Sequence, residues 1–336
     1  MLKITFKSVG QGDSILIEWE KGGVIHYGII DCNLINGEVP LIKELKAKSV
    51  TNIDFVVLTH MHFDHYSGMG FLFEYLIENN ISVGCFYHTF AWNYVHVLNN
   101  SVISARVKEG TIKFKRKLDE ADAKGILKDI EGGISHQLQP IHLYSNVFLK
   151  FLSPNGKDYV EFSRAKIQDK TVDANRLAAI SLISNSQEGV LLASDAATRS
   201  FQRITGKVSD LLCMVQVPHH GSPNNLLREF WVPLNKKPEC PAVFSIGDVK
   251  KDKLPKREVV EFFHNQGYFN TSTDYVYGIK EFYPLQAEEV RNEGYSEEAK
   301  KNIRLLKVIA LSVNTSIVDS SASSRFFGDK TFEFDL

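Results

Sequence analysis

His60, His62, Asp64 and His65 bring three imidazoles and one carboxylate into six consecutive positions of the stretch Thr59-His60-Met61-His62-Phe63-Asp64-His65-Tyr66-Ser67-Gly68. The apolar run Phe55-Val56-Val57-Leu58 precedes them and reads as the end of a buried strand. Titratable groups this dense cannot all be buried without a partner, because an isolated buried charge is strongly disfavoured or shifts its pKa instead. A divalent cation satisfies all four. In an extended or tightly turning segment His60 and His62 point the same way, whereas Asp64 and His65 lie past the bend and can serve a second, neighbouring cation. The plain alternative is a His-rich solvated loop, which the preceding strand disfavours.

The elements that must present this motif are legible on both sides. Upstream, Ile4 to Glu18 reads as two strands joined by Val9-Gly10-Gln11-Gly12-Asp13, where two glycines beside an Asp mark a tight turn. A third strand, Val24 to Ile30, runs into Asp31-Cys32-Asn33, where an Asp at a strand end fixes the following loop. A helix from Val39 to Lys48 and a strand from Ile53 to Leu58 follow, then a helical Gly70 to Ile77 and a strand Ile81 to Phe86. This order suits two sheets with helices outside. From 91 to 144 the pattern turns polar and Lys-rich with helical spacing, which predicts a helical insertion; its run Lys113-Phe114-Lys115-Arg116-Lys117 reads as a solvated helix face. His26, His88, His96, His136 and His142 have no partner at metal-ligand spacing and read as structural or surface residues.

Strand character returns at Val147 to Pro154. Buried strands then end in polar residues twice: Gly189 to Asp195 closes on Ser194-Asp195, and Leu211 to Pro218 stops at His219-His220-Gly221-Ser222. Such a repetition is expected where side chains converge on one rim of a sheet sandwich. Ala242 to Gly247 predicts one more strand, Glu258 to Gln266 a helix, and Tyr277 to Tyr283 a last strand. Residues 286–336 read as a C-terminal extension with a charged helix over Glu288 to Lys307, packed on a core domain of residues 1–285.

Composition narrows the function classes. Over 336 residues, 43% hydrophobic and 24% charged content is ordinary for a globular chain. A net charge of -1 gives no global attraction for nucleic acid or anionic membrane, so such binding needs a local basic patch; Lys250, Lys251, Lys253, Lys256 and Arg257 are the candidate. No apolar run approaches the roughly 18 residues of a membrane span, and the first residues read as a strand, so a cytoplasmic protein without membrane insertion is expected. The four cysteines are scattered, which predicts neither disulfides nor a thiolate zinc site.

Taken together, Val9-Gly10-Gln11-Gly12-Asp13-Ser14, the His60 to His65 motif, Ser194-Asp195 and His219-His220-Gly221-Ser222 resemble the hydrolase domain associated with the DNA-uptake channel protein ComEC. A related pattern is found in phosphorylcholine esterases of the same metallo-β-lactamase superfamily. The resemblance covers most of residues 1–285 and implies a four-layer αββα sandwich with two divalent metal ions, zinc or manganese, at the sheet edge. Carried over by position, His60 and His62 would hold the first metal, Asp64 and His65 the second, Asp195 would bridge them, and His220 would be the last ligand. His219 would face the substrate, or else orient His220. Superfamily members commonly place a further histidine where this chain has Asn175, so the His60/His62 site is expected to be partly occupied. The Gly-His-Pro element of many ComEC-like domains is replaced by Lys253-Leu254-Pro255, and the usual Asp-x-Gly by Asp31-Cys32-Asn33.

The expected function is a metal-dependent hydrolase that activates water. A phosphodiesterase or nuclease leads, with Asp64 and His219 as catalytic groups, Asn175 and Ser222 as substrate-binding ones, and a phosphate-containing substrate that includes nucleic acid in its range. The alternatives are a hydrolase of small esters, lactones or thioesters, and a binding or regulatory module with a vestigial site that meets protein partners through the insertion or the C-terminal segment.

Overall fold

The computed structural model describes residues 1–89, 104–167, 174–284 and 324–336. Two seven-stranded sheets form its centre. The first contains β1 (Leu2–Phe6), β2 (Ser14–Lys21), β3 (Val24–Cys32), β4 (Asn52–Leu58), β5 (Ser82–His88) and β6 (Ile130–Gly132). The second contains β7 (Ile141–Tyr144), β8 (Val147–Ser153), β9 (Ile180–Ser184), β10 (Glu188–Leu192), β11 (Leu211–Gln216), β12 (Pro241–Phe244) and β13 (Phe269–Ser272). A last strand, β14 (Lys330–Phe334), returns to the first sheet and pairs antiparallel with β1, Leu2 opposite Phe334. The strand orders are β14-β1-β2-β3-β4-β5-β6 and β13-β12-β11-β10-β9-β8-β7.

Pairing direction decides where chemistry can gather. From β3 to β6 neighbours run parallel, as they do from β10 to β13, while the remaining pairs are antiparallel. Parallel neighbours end on the same rim, so the loops after β3, β4, β10, β11 and β12 all open at one edge of the sandwich. Those loops carry Asn33, the His60 to His65 motif, Asp195, His219-His220 and Ser245.

Alternation along the central strands produces four layers. In β4, Phe55 and Val57 enter the core between the sheets with Phe151, Ile183, Val190, Leu192 and Met214. Val56 and Leu58 face the other way, onto the helices α1 (Pro40–Ala47) and α3 (Met69–Glu78), through Leu41, Leu45, Leu72 and Leu76. Burial on both faces explains why this strand reads as an unbroken apolar run. The short helix α2 (Phe63–Tyr66) lies between β4 and α3. On the far face of the second sheet, α6 (Thr198–Ile204), α7 (Arg228–Trp231) and α8 (Arg257–Asn265) bury Phe201, Trp231 and Phe263. The helix α5 (Gly156–Ile167) links β8 to the turn before β9.

Three elements depart from the sequence reading. Only α4 (Ala105–Ala123) makes the described part of 91–144 helical; Phe114, Leu118 and Ala121 bury it against the helix layer of the first sheet, and β6 and β7 follow as edge strands of the two sheets. Tyr277 to Tyr283, expected as a strand, begins with the helix α9 (Tyr277–Phe282), because its buried residues Val276, Ile279 and Tyr283 recur at spacings of three and four. The last strand of the second sheet is instead β13, with the polar sequence Phe-Asn-Thr-Ser, whose side chains Asn270, Thr271 and Ser272 all bond to backbone carbonyls at 2.7 Å. The helix expected over Glu288 to Lys307 lies outside the described residues.

Candidate metal centre

Local backbone geometry separates the motif into two halves. After β4 the chain bends at Met61, and His62, with extended φ -99° and ψ 145°, caps α2. His60 and His62, on either side of that bend, have their rings 4.7 Å apart between centroids, while Asp64 and His65 sit in the single turn of α2. Asp195 enters from the opposite sheet between them. Its Oδ2 lies 3.4 Å from His65 Nε2 and 3.8 Å from His60 Nε2, and its Oδ1 lies 3.3 Å from His220 Nε2. His220 Nε2 is also 3.6 Å from Asp64 Oδ2. Two groups of side chains thus share Asp195: Asp64, His65, Asp195 and His220 in one, His60, His62 and Asp195 in the other, with ligand atoms within 4.8 Å of one another in each.

Each buried imidazole is anchored by Nδ1, which leaves Nε2 for the centre. His65 Nδ1 donates to Asp31 Oδ2 at 2.7 Å, and His220 Nδ1 donates to the Ser245 carbonyl at 2.7 Å. The Thr59 hydroxyl donates to Asp31 Oδ2 at 2.6 Å, so it accepts from His60 Nδ1 at 3.1 Å. Among the described residues no group hydrogen-bonds His60 Nε2, His65 Nε2, His220 Nε2 or Asp195 Oδ1, although all four atoms are buried. Buried nitrogens without partners are costly, and their convergence on one carboxylate is what a cation-binding site requires. Ligands about 2.0–2.1 Å from a tetrahedral zinc are themselves about 3.3–3.4 Å apart, close to the separations around Asp195. The donor set therefore fits a divalent metal.

Electrostatics agree with this reading. Burial alone would lower the His65 and His220 pKa values, but the Asp195 carboxylate, joined by Asp31 at His65 and Asp64 at His220, outweighs it and raises both, His220 to about 9. Burial lowers His60 well below its ordinary value, helped by the neighbouring imidazoles. Burial would raise Asp195, yet His220 and His65 hold it well below the usual carboxylate range.

The supporting frame is strained and tight. Asp31, Ser194, His219 and His220 all take left-handed φ values, from 46° to 56°, which non-glycine residues adopt at a cost and which cluster at functional sites. Gly12 has φ 128°, and a Cβ there would lie 2.3 Å from the Asp64 carbonyl. Asp13, read from sequence only as part of a turn, is buried and accepts from Gln216 Nε2 at 2.8 Å, while Gln216 Oε1 accepts the Ser194 N–H at 2.9 Å. This chain of bonds ties the β1–β2 turn to the loop that carries Asp195. Asp13, Asp31 and His65 also form an acidic group of their own, but a proton on His65 Nδ1 already satisfies it.

His219 stands apart. Its side chain is 27% exposed and belongs to neither ligand group; its Nε2 is 3.6 Å from Asp195 Oδ2. It does not orient His220, whose Nδ1 is taken by Ser245. Asn175 Nδ2 lies 3.3 Å from His219 Nδ1, and the buried Ser222 donates its N–H to the His219 carbonyl at 2.9 Å. Sequence reading missed Asp13, Thr59, Gln216, Asn225 and Ser245 as supports and assigned Asp31 only to its loop. Polar residues at strand ends were the available signal.

Residues 8–144 match the family model described as the metallo-beta-lactamase superfamily. Over those residues the chain is similar to that superfamily. The match spans β2 to β7 and the His60 to His65 motif; β1, β14 and the strands β8 to β13 lie outside it. Among solved structures, the metallo-beta-lactamase fold protein YhfI from Bacillus subtilis is 14% identical, over 64% of this chain and 70% of that one, with a TM-score of 0.37. Zn(2+)-bound PqqB from Methylobacterium extorquens is 8% identical over 81% and 98%, with a TM-score of 0.42. A diphosphatase of the PhnP family is 12% identical over 69% and 81%, with a TM-score of 0.33. No curated protein matches the chain at significant similarity.

Proposed function

We propose that this chain is a metallo-beta-lactamase-like, metal-dependent hydrolase of phosphate esters, a phosphodiesterase or nuclease. The observation that carries the reading is Asp195, whose two oxygens stand between Nε2 atoms that have no hydrogen-bond partner among the described residues. His60, His62 and Asp195 would hold one divalent ion and Asp64, His65, Asp195 and His220 the other, with zinc or manganese as the metal. Bound there, the ions would supply positive charge for a developing phosphoryl oxyanion and acidify a water.

The chain's own residues supply the rest. Asp64, a third exposed beside His220, orients the attacking water, and His219, on the open side of Asp195, moves a proton. Asn175 and Ser222, buried beside His219, are the groups we assign to hold the substrate. The basic segment lies nearby: the Lys256 N–H donates to the Gly221 carbonyl at 3.1 Å, and Lys250, Lys251 and Lys253 are exposed just before it. Against Asp248 and Asp252, the five cations of residues 248–257 leave a net +3, suited to a polyanion. In the Lys113 to Lys117 run, by contrast, the three lysines pair with Glu74, Asp119 and Glu120 of their own surroundings.

The test is turnover by zinc- or manganese-loaded protein of bis-p-nitrophenyl phosphate, single-stranded DNA, RNA, cyclic nucleotides and lactones. Cleavage of a phosphodiester is expected. Cleavage of lactones alone would move the protein to the small-ester class, and no turnover of any with metal bound would leave a binding module.

A further inference from the structure

Asn225 lies in the loop after His220, buried, with every polar atom of its side chain in use. Its Nδ2 donates to the Asp195 carbonyl at 3.2 Å and to the Ala196 carbonyl at 3.0 Å. Two carbonyl acceptors on one side leave no choice in the amide's orientation: nitrogen must face them and oxygen must face away. The oxygen that faces away, Oδ1, lies 2.7 Å from His219 Nδ1. An amide oxygen only accepts, so His219 Nδ1 must carry the proton.

The consequence falls on the other side of the ring. With Nδ1 protonated, the neutral imidazole of His219 has a lone pair at Nε2, and Nε2 is the atom turned toward Asp195 Oδ2 at 3.6 Å, too far for a hydrogen bond between them. Asn175 does not oppose this assignment: its amide nitrogen is placed 3.3 Å from His219 Nδ1, and a half-turn of the terminal amide presents oxygen to the same proton. His219 therefore follows the pattern of the buried histidines, Nδ1 anchored and Nε2 free, yet it stands outside their ligand groups and is partly open to solvent.

We infer that Asn225 is a positioning residue that fixes the tautomer of His219, so that His219 meets the reacting groups as a proton acceptor first and a donor second. On the hydrolytic reading above, on which this consequence rests, the step balances simply. An O–H bond of the attacking water breaks and its proton goes to His219 Nε2; the water oxygen forms the new bond to phosphorus. The leaving oxygen departs with the bonding electron pair and takes the proton from Nε2, which returns the ring to its starting tautomer. The carbonyl of Asp195 is one of the two groups that lock the amide, so the residue shared by both ligand groups also sets the proton position on the neighbouring base.

The inference is tested on the full, zinc-loaded chain labelled with nitrogen-15 at histidine, by long-range proton–nitrogen correlation spectra, with His219 assigned from the signal lost in His219→Gln. The expected result is a protonated Nδ1 and an unprotonated Nε2; a protonated Nε2 with a bare Nδ1 in the neutral ring overturns the inference, and this needs no variant at Asn225. Two variants then separate positioning from loop support. Asn225→Asp keeps an acceptor for Nδ1 but loses both donors to the loop carbonyls, whereas Asn225→Ala loses everything. The tautomer should persist in Asn225→Asp and be lost in Asn225→Ala. The kcat for bis-p-nitrophenyl phosphate should fall about 10–100-fold in Asn225→Ala, with KM and metal content unchanged, and recover most of that loss in Asn225→Asp. Equal losses in both variants would make Asn225 a loop support only and overturn the inference. If the wild-type chain turns over no substrate, the hydrolytic reading fails while the spectra still decide the tautomer.

Discussion

The two ligand groups share Asp195 and lie within one rim, yet they are built differently. The group of Asp64, His65, Asp195 and His220 contains two carboxylates, and its imidazoles are anchored on a buried carboxylate, Asp31, and on a backbone carbonyl, that of Ser245. The group of His60, His62 and Asp195 has one carboxylate, already shared, and His60 is anchored only on a hydroxyl. Where a fourth ligand would complete it, Asn175 faces His219 instead. An anionic anchor raises the basicity of the imidazole it holds, and a second carboxylate adds charge against the cation. We therefore expect one tight and one weak metal, set by charge and anchoring rather than by the number of histidines.

The largest effect comes from removing what the groups share. Asp195→Ala should lose both metals and abolish turnover, read by elemental analysis and steady-state kinetics. Next come the substitutions that separate the groups. His220→Ala and His62→Ala should both abolish turnover, but His62→Ala should keep the tight metal and His220→Ala should not. Equal metal loss in the two variants would break the asymmetry. His219→Ala should lower the rate with metal retained, since it stands outside both groups.

How far these side chains were legible follows from where the signal lies. The His60 to His65 motif carries its own spacing, and a division into a pair before the bend and a pair after it is expected from period and bend alone; the helix that holds Asp64 and His65 begins at Phe63. Asp195 and His220 were legible as polar ends of buried strands. The supports were not. Asp13 meets Gln216 across 203 positions, and Asn225 meets the Asp195 carbonyl across 30, so no local pattern records them. The same holds for β13, whose Asn270 and Thr271 are buried with hydrogen bonds to the carbonyls of Val260 and Arg325, and for α9, whose six positions fit either period when read alone.

Smaller effects sharpen the contrast. Asp31→Asn should weaken the tight site by about 10–100-fold in metal affinity, while Thr59→Val should act on both anchors more mildly, because Thr59 also holds Asp31. The smallest effect is on stability against pH in the metal-free chain. His220 has its folded pKa raised to about 9 from 6.5, so its pairing stabilises the metal-free fold fully below pH 6.5, and that contribution is lost as pH rises through 9. Metal must displace that proton, so metal affinity should rise over the same interval. Denaturant unfolding of metal-free protein at pH 6 and pH 10 checks the first statement, and zinc titration at pH 6 and 8 the second; a metal-free chain more stable at pH 10 would count against the assigned pairing.

The most direct measurement is anomalous scattering from crystals grown with limiting zinc and then with excess zinc. The expected result is a single peak among Asp64, His65, Asp195 and His220 at limiting metal, and a second, weaker one beside His60 and His62 at excess, both against Asp195. A first peak beside His60 and His62, or no peak at Asp195 at either concentration, would contradict the account.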